Sequence, residues 1–285
     1  DAAAGGIDLA ETRFGRRITL EQFEKSHSCG YFSSKLSKRT RASSRLKVTS
    51  SIHYFDLMYS PEDLFDLTQT EHAILFEGCQ YAWEALPKIK PYLARTLQPA
   101  LHHTAMGNSY IGPNVFIGEG TVVEHGVMIK GPAIIGRNCQ IRHNAYLREE
   151  VIVGDNCVVG NSCELKNVLM FNNAQVPHFS YVGDSILGYK SHLGAGVKIS
   201  NIKLVPGSVT VEKDGVPFDT GLRKFGVLLG DSTEVGCNSV LNPGSVIGRG
   251  CVIYPNTSWR GVLPANMIVK NRGQQEVVVR RPRES

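Results

Sequence analysis

The sequence of 285 residues lacks the signatures of several protein classes. It has no apolar run close to the roughly eighteen residues that span a bilayer as a helix, so we expect no membrane span. Its seven cysteines form no Cys-x-x-Cys pair and no secretory apolar segment is present, so we expect neither a disulfide nor a zinc framework and a reducing compartment. Residues 51–285 carry 21 Lys and Arg against 21 Asp and Glu, a balance that argues against nucleic acid as a partner. Composition alone leaves a soluble globular protein.

Acidic residues are also absent from Lys25 to Phe55, a stretch with seven Lys and Arg and nine Ser. Such a segment buries too little apolar surface to order itself, so we interpret residues 1–55 as a basic leader that is flexible or ordered by a partner. Three uses remain open: a solvated tail, an organelle-targeting leader, or a basic arm that docks to an acidic partner or a larger assembly. We therefore expect a cytoplasmic protein, or an organellar one if residues 25–55 belong to a targeting leader.

Residues 56–104 are predicted to form a segment of short helices. Ser60 suits a helix N-cap and Pro61 the first helical position, while Glu62 and Asp63 face the positive end of the helix dipole. The apolar positions that fit helical faces are Leu64, Leu67, Ile74, Leu75, Trp83, Leu86, Ile89 and Leu93. We expect packing and capping from this segment.

The strongest pattern of the chain is a period of six residues. All ten positions in its first run are aliphatic: Ile111, Ile117, Val123, Ile129, Ile135, Ile141, Leu147, Val153, Val159 and Leu165. A helix requires a period of 3.6 and an ordinary strand a period of two, so neither explains it. Hexapeptide repeats do, because each hexad forms one short strand and a corner, and three hexads make a triangular turn of about eighteen residues.

The pattern therefore predicts a mainly β fold: a left-handed parallel β-helix over residues 105–264, with a short N-terminal helical segment. The repeat is lost between Asn201 and Phe225, so residues 201–226 are predicted to form a loop or hairpin that projects from the solenoid. Residues 265–285 are assigned to a C-terminal tail. Cysteines of the repeat, such as Cys139 and Cys157, are expected to be small core residues.

Polar residues that interrupt the repeat are the candidates for chemistry, because the core columns of a solenoid carry none. They collect between Glu164 and Lys224. Arg148 and Lys166, eighteen residues apart, are expected on the same side of successive turns, where two cations suit a phosphate or another dianion. The alternative is a surface charge paired with a glutamate such as Glu149 or Glu164.

The motifs of this interruption are Arg148, Glu164-Leu165-Lys166, His178-Phe179-Ser180-Tyr181-Val182-Gly183-Asp184, Leu193-Gly194-Ala195-Gly196, Asn201 and Arg223-Lys224-Phe225-Gly226. In this order and spacing they resemble the acetyltransferase domain of the bifunctional bacterial enzyme that makes UDP-N-acetylglucosamine. The resemblance covers residues 105–264 and extends to related sugar-1-phosphate nucleotidyltransferases. It implies a hexapeptide-repeat acetyltransferase that uses acetyl-CoA, acts on an amino-sugar phosphate and forms a homotrimer.

The resemblance also implies a role for each matching residue. His178 is the general base that deprotonates the sugar amine, and the backbone N–H of Ala195 donates to the oxyanion. The substrate-binding residues are Arg148, Glu164, Lys166, Tyr181, Asn201 and Lys224, the last supplied by a neighbouring subunit. His192 and Cys237 are the cofactor-binding positions, where they replace an Asn and a Ser of the bacterial enzyme.

Two further comparisons limit this interpretation. His178 and His192 are fourteen residues apart, which does not match the histidine spacing of the γ-class carbonic anhydrases built on the same solenoid, so we expect no metal site. No Gly-x-Gly-Thr-Arg loop and no doubly wound βα pattern precede residue 105, so no nucleotidyltransferase domain is predicted in this chain.

Three hypotheses follow. The first is acetyl transfer from acetyl-CoA to the amine of an amino-sugar 1-phosphate, with glucosamine 1-phosphate as the candidate acceptor, in UDP-N-acetylhexosamine synthesis. The second is a non-catalytic structural or assembly subunit built on an ancestral acetyltransferase solenoid. The third is binding of RNA or an acidic surface by residues 25–55.

Overall fold

The computed structural model describes residues 59–213 and 215–273, together with two short strands, Ala10–Glu11 and Arg17–Ile18, that pair antiparallel. The rest of the predicted leader and residues 274–285 of the predicted tail lie outside the described residues, so the uses suggested for residues 25–55 stay predictions.

The helical segment consists of short helices. Its α-helices are Pro61–Leu64 and Ile89–Thr96, and its 3₁₀ helices are Leu67–Gln69, Ala73–Phe76 and Ala82–Lys88. The first helix begins at the predicted cap: the Asp63 N–H donates to Ser60 Oγ (3.3 Å), and the Ser60 N–H donates to Asp63 Oδ2 (3.2 Å). Helix geometry ends after one turn because Phe65 adopts an extended conformation.

The repeat region is a parallel β-solenoid with three faces, each named here by its strands. Face 1 holds Ala100–Leu101, Val115–Ile117, Ala133–Ile135, Val151–Val153, Val227–Leu229, Ser245–Ile247 and Val262–Leu263. Face 2 holds Thr104–Met106, Val122–Glu124, Gln140–Ile141, Val158–Asn161, Gln175–His178, His192–Leu193, Glu234–Val235, Val252–Ile253 and Ile268–Val269. Face 3 holds Tyr110–Ile111, Met128–Ile129, Tyr146–Leu147, Lys198–Ile199, Val240–Leu241 and Ser258–Trp259.

Two long strands, Glu164–Met170 and Tyr181–Leu187, run from face 3 into face 1 and join these faces into one 15-stranded sheet. Face 2 is a separate sheet of nine strands, which corresponds to nine turns. The prediction of a mainly β, parallel solenoid with a short helical segment is therefore confirmed, while its left-handedness stays a prediction. The stacked strands begin at Ala100 and end at Val269, somewhat outside the expected limits of 105 and 264.

The interior contains the aliphatic residues of the six-residue pattern, and Cys139, Cys157 and Cys163 are buried among them. On face 2, Ile141 pairs with Val159 eighteen residues later, but Val159 pairs with Val176 only seventeen residues later. Gln175 pairs with His192 at the same seventeen-residue spacing, so two consecutive turns are each one residue short. The aliphatic positions therefore leave the original six-residue phase after residue 171, while the inward column stays continuous.

The helical segment covers the outer side of face 1. Aliphatic residues that point outward from this face, among them Ile152, Leu169 and Ile186, are buried against the aromatic residues of the segment. Phe65 stacks on Phe171 with ring centroids 5.0 Å apart. The strands of face 1 are therefore buried on both their inner and outer sides, and they carry apolar residues on both sides, as such strands require.

The insertion forms an antiparallel hairpin of the strands Thr210–Lys213 and Val216–Asp219. The expectation of a projecting element is only partly met, because the hairpin folds back onto the helical segment. Val209 and Val211 are buried in the same apolar cluster as the segment, and the Tyr59 hydroxyl donates to the backbone oxygen of Glu212 (2.6 Å). Burial of these apolar side chains stabilises the hairpin in its position against the helical segment.

A buried histidine in the helical segment should make stability depend on pH. Burial lowers the pKa of His72 from 6.5 to about 4, while its Nδ1 lies 2.8 Å from the Tyr92 hydroxyl. Between these two pH values the unfolded chain binds a proton that the folded chain does not, so lowering the pH from 7 to 4 should remove up to about 3 kcal/mol from the free energy of unfolding.

Urea unfolding at pH 7 and at pH 4.5 measures this effect. In His72→Gln the difference between the two pH values should shrink, because the glutamine does not titrate. An equally steep loss of stability in wild type and variant would assign the dependence to other groups.

Candidate functional site

Three predicted residues share one corner of the solenoid, the corner between faces 2 and 3, which we call the site corner. His178, Ala195 and Cys237 follow one another there on consecutive turns. The Gly196 N–H donates to the backbone oxygen of His178 (2.9 Å), and the Asn238 N–H donates to that of Ala195 (2.9 Å). Both His178 and Cys237 are exposed at this corner. A ligand on the outside of the corner can therefore contact all three positions.

The backbone N–H of Ala195 is an unused donor. No acceptor for it exists among residues 59–213 and 215–273. By contrast, His143 donates its N–H to Glu124 Oε2 (2.8 Å); His143 holds the equivalent corner position two turns before His178. A backbone donor at an exposed corner can stabilise an oxyanion without any side chain.

Phe179, beside His178, is a feature that the sequence reasoning missed. The residue is 62% exposed and its φ is 49°. The equivalent residue is Asn144 or Ser162 on earlier turns and Gly196 on the next, all smaller than phenylalanine, and Asn and Gly adopt the left-handed region more readily than a bulky residue does. A left-handed, exposed aromatic residue is a local cost that commonly accompanies functional sites. The sequence signal was available: an aromatic residue at a corner position that otherwise holds Asn, Ser or Gly.

On face 3, next to the site corner, Glu164 and Tyr181 lie in register on neighbouring strands. Arg148 Nη1 is 3.0 Å from Glu164 Oε1, and its Nε is 3.6 Å from Glu149 Oε2. The hydrogen bond to Glu164 raises the pKa of the Arg148 guanidinium above its ordinary value. The structure thus brings Arg148 and Glu164 together, and an anionic ligand of Arg148 would have to exchange with these carboxylates.

A second polar network continues from the same face and centres on Asp184, which the sequence reasoning did not select. Lys166 Nζ lies 3.6 Å from Asp184 Oδ1, and the Asn201 side-chain amide donates to Asp184 Oδ2. The same amide donates to the Tyr181 hydroxyl (3.4 Å), whose pKa is raised above its ordinary value chiefly by burial. Three predicted binding residues, Lys166, Tyr181 and Asn201, are therefore joined through one buried carboxylate.

The predicted cofactor-binding residues line a shallow groove of about 350 Å³ on face 2. His192 Nδ1 lies 2.8 Å from Glu234 Oε2, and Cys237, Tyr254 and Pro255 form part of the wall. The groove reaches the site corner through Cys237. An extended ligand in it would lead toward Ala195.

Lys224 is exposed at the end of the insertion and makes no hydrogen bond or ion pair with any described residue. Its neighbour Phe225 donates its N–H to the backbone oxygen of Asn201 (2.9 Å), which anchors the end of the insertion beside the network. No contact joins Lys224 to His178 among these residues.

The described part of the chain has neither a metal-binding cluster nor a helix that could span a membrane. No group of three or more His, Cys, Asp or Glu side chains there could hold a metal ion. No helix in that part is long and apolar enough to cross a membrane.

Comparison with known proteins identifies the class of domain that the solenoid resembles. The family described as the GMPPB C-terminal domain matches residues 129–216, the centre of the solenoid. Together with the relatives below, this match shows a resemblance to hexapeptide-repeat acetyltransferase domains, as expected from the motifs.

Particular relatives follow. The bifunctional sugar-1-phosphate nucleotidylyltransferase/acetyltransferase of Sulfurisphaera tokodaii is 34% identical over 91 residues, which is 32% of this chain and 23% of that protein. The bifunctional protein GlmU of Methanococcus maripaludis is 36% identical over 92 residues, 32% of this chain and 22% of that protein. The chain thus matches less than a quarter of the length of either relative.

Among solved structures, UDP-N-acetylglucosamine acyltransferase from Campylobacter jejuni is similar with a TM-score of 0.27 and 14% identity. The similarity covers 61% of this chain and 71% of that one. Similarity of this degree has no bearing on function.

Proposed function

We propose that this protein transfers the acetyl group of acetyl-CoA to the amine of an amino-sugar 1-phosphate, with glucosamine 1-phosphate as the candidate acceptor, in UDP-N-acetylhexosamine synthesis. The observation that carries the proposal is the site corner, where a histidine side chain and an unused backbone N–H lie on adjacent turns. The name of the Sulfurisphaera tokodaii relative, which includes both a sugar 1-phosphate and acetyl transfer, supports the same chemistry.

In the proposed reaction the sugar amine attacks the thioester carbonyl carbon. His178 accepts the proton that the amine loses, because a neutral imidazole is a base near neutral pH. The Ala195 N–H donates to the oxygen that becomes negative in the tetrahedral intermediate. The C–S bond then breaks, and the proton held by His178 goes to the departing thiolate, giving the amide and free CoA.

The acceptor would lie on face 3. Arg148 and Lys166 would bind its phosphate, with Glu164 orienting the cations or the amine, and Tyr181 and Asn201 would contact the sugar. Acetyl-CoA would occupy the groove of His192 and Cys237. In a homotrimer, Lys224 of a neighbouring subunit would complete the acceptor site.

Release of free CoA from acetyl-CoA in the presence of glucosamine 1-phosphate tests the proposal. Galactosamine 1-phosphate, glucosamine 6-phosphate and glucosamine serve as comparison acceptors, and omission of the acceptor gives the background rate. Thiol release above background, greatest with a 1-phosphate, is the expected result. Wild-type release with either 1-phosphate no faster than that of His178→Ala would refute it.

A second candidate function is a non-catalytic structural or assembly subunit. The observation that favours it is that both cations assigned to phosphate binding are paired with carboxylates, Arg148 with Glu164 and Lys166 with Asp184. Purification in fixed stoichiometry with a large complex, together with no CoA binding by calorimetry, would select this candidate.

A further inference from the structure

We propose that Asp184 is a positioning residue that makes the Tyr181 hydroxyl a hydrogen-bond donor toward the acceptor, through the side-chain amide of Asn201. The inference rests on the proposed function, because Tyr181 and Asn201 are there assigned to acceptor binding. It adds Asp184 to the site. It also specifies that the Tyr181 hydroxyl accepts a hydrogen bond from Asn201 and donates one to the substrate.

Asp184 has the burial and the partners of an organising carboxylate. Its residue is only 4% exposed, at a φ of 47° where the long strand bends from face 3 into face 1. Asn167 Nδ2 donates to Oδ1 (2.9 Å), Lys166 Nζ lies 3.6 Å from the same oxygen, and Asn201 Nδ2 donates to Oδ2. Buried charges require such partners, so an ionised Asp184 holds all three side chains in place.

The polarity of the relay follows from donor and acceptor chemistry. An ionised carboxylate can only accept hydrogen bonds, so Asn201 must turn its NH₂ group toward Asp184. That same nitrogen lies 3.4 Å from the Tyr181 hydroxyl oxygen, which must then accept. The hydroxyl hydrogen of Tyr181 is left to point elsewhere, and no described residue accepts it. An oxygen atom of the sugar substrate that accepts a hydrogen bond is a suitable partner for this hydrogen.

Gly183 provides the space for this relay. A Cβ atom at that position would lie 2.5 Å from Asn201 Nδ2 and 2.7 Å from the Tyr181 hydroxyl oxygen. Any other residue would push the two groups apart. The glycine therefore belongs to the same arrangement as Asp184.

Asp184→Asn tests the relay with almost no change in shape. The new amide should keep its oxygen toward Lys166, because an ammonium group can only donate. Its NH₂ group would then face that of Asn201, so Asn201 should rotate and present its oxygen instead. Tyr181 would then donate to Asn201 and lose its bond to the acceptor. We expect the KM for glucosamine 1-phosphate to rise about tenfold, as expected for one buried hydrogen bond, with the KM for acetyl-CoA unchanged.

A double-mutant cycle separates the relay from a general structural role. Tyr181→Phe should cause a similar rise, and the double variant should be no worse than the worse single variant, because both changes remove one interaction. Asp231→Asn is the matched control: Asp231 is 7% exposed, accepts the N–H groups of Asp66 (2.6 Å) and Tyr189 (2.8 Å), and lies outside the site. It should lower thermal stability and leave both KM values unchanged.

The outcomes distinguish this inference from the proposed function. Turnover by the wild type with an unchanged acceptor KM in Asp184→Asn, or additive effects in the cycle, overturns the relay alone. Calorimetric binding of glucosamine 1-phosphate that weakens in Asp184→Asn, in a protein without turnover, supports the relay and overturns the acetyl transfer. A wild type that neither binds nor acetylates overturns both.

Discussion

Replacing His178 with alanine is expected to lower kcat for acetyl transfer by about 10²–10⁴-fold, the usual contribution of a general base. The variant removes the imidazole that would take the proton of the attacking amine and return it to the leaving thiolate. Because the side chain is exposed at the site corner, the substitution should cost little stability. Initial rates of thiol release at saturating acceptor and acetyl-CoA, with circular dichroism of the folded variant, measure both quantities.

His143→Ala is the control for this prediction. His143 occupies the same corner column two turns earlier, is also exposed, and has its Nδ1 2.8 Å from the backbone oxygen of His125. It should retain wild-type kcat, because it lies three turns from the Ala195 N–H, whereas His178 lies on the turn next to that donor. Equal losses in the two variants, or none in either, would remove His178 from the role of base.

Gly160→Ala should be the most damaging single-methyl change, lowering the free energy of unfolding by about 3 kcal/mol or more. A Cβ atom at Gly160 would overlap the carbonyl group of Pro177 on the next turn. Relief would require the strand Gln175–His178 to move, because the overlapping atoms are backbone. Since that strand carries His178, the proposed activity should also fall.

Chemical unfolding of wild type, Gly160→Ala and Gly273→Ala measures the effect. A Cβ atom at Gly273 would meet only Asn271 Oδ1, at 3.9 Å, so this variant should unfold like the wild type. A Gly160→Ala protein with unchanged stability would show that neighbouring turns tolerate more separation than the stacked backbone implies.

Much of the fold could be predicted from the sequence, because the six-residue spacing of aliphatic side chains has one efficient burial solution. Residues such as Ile141 and Val159 stack in the interior as their spacing indicated. The sequence analysis did not predict that two turns are each one residue short, because omission of one residue from a turn leaves the inward column intact. The fold-back of the hairpin was not predictable from its turn sequence, because it depends on the apolar cover of face 1.

For the candidate site, the motif spacing placed Arg148 and Lys166 on one side of successive turns, but it did not show that each cation has a carboxylate partner. The pairings with Glu164 and Asp184 depend on which side chains meet between strands. Asp184 ends one of the quoted motifs but received no role for the same reason, since one aspartate has no pattern of its own. Its partner Asn201 comes from seventeen residues later in the chain.

The sequence by itself determined the solenoid, the position of its interruption and the candidate residues, because the repeat period and the motif spacing are local properties of the chain. Only the tertiary structure decided which donors are already used and which remain open. Among the described residues, the Ala195 N–H and the Tyr181 hydroxyl hydrogen have no acceptor, while Arg148 and Lys166 are paired with carboxylates. The physical reason is that the side-chain contacts between stacked turns depend on which residues meet across neighbouring strands. The six-residue period fixes only the inward aliphatic positions and contains no information about those contacts.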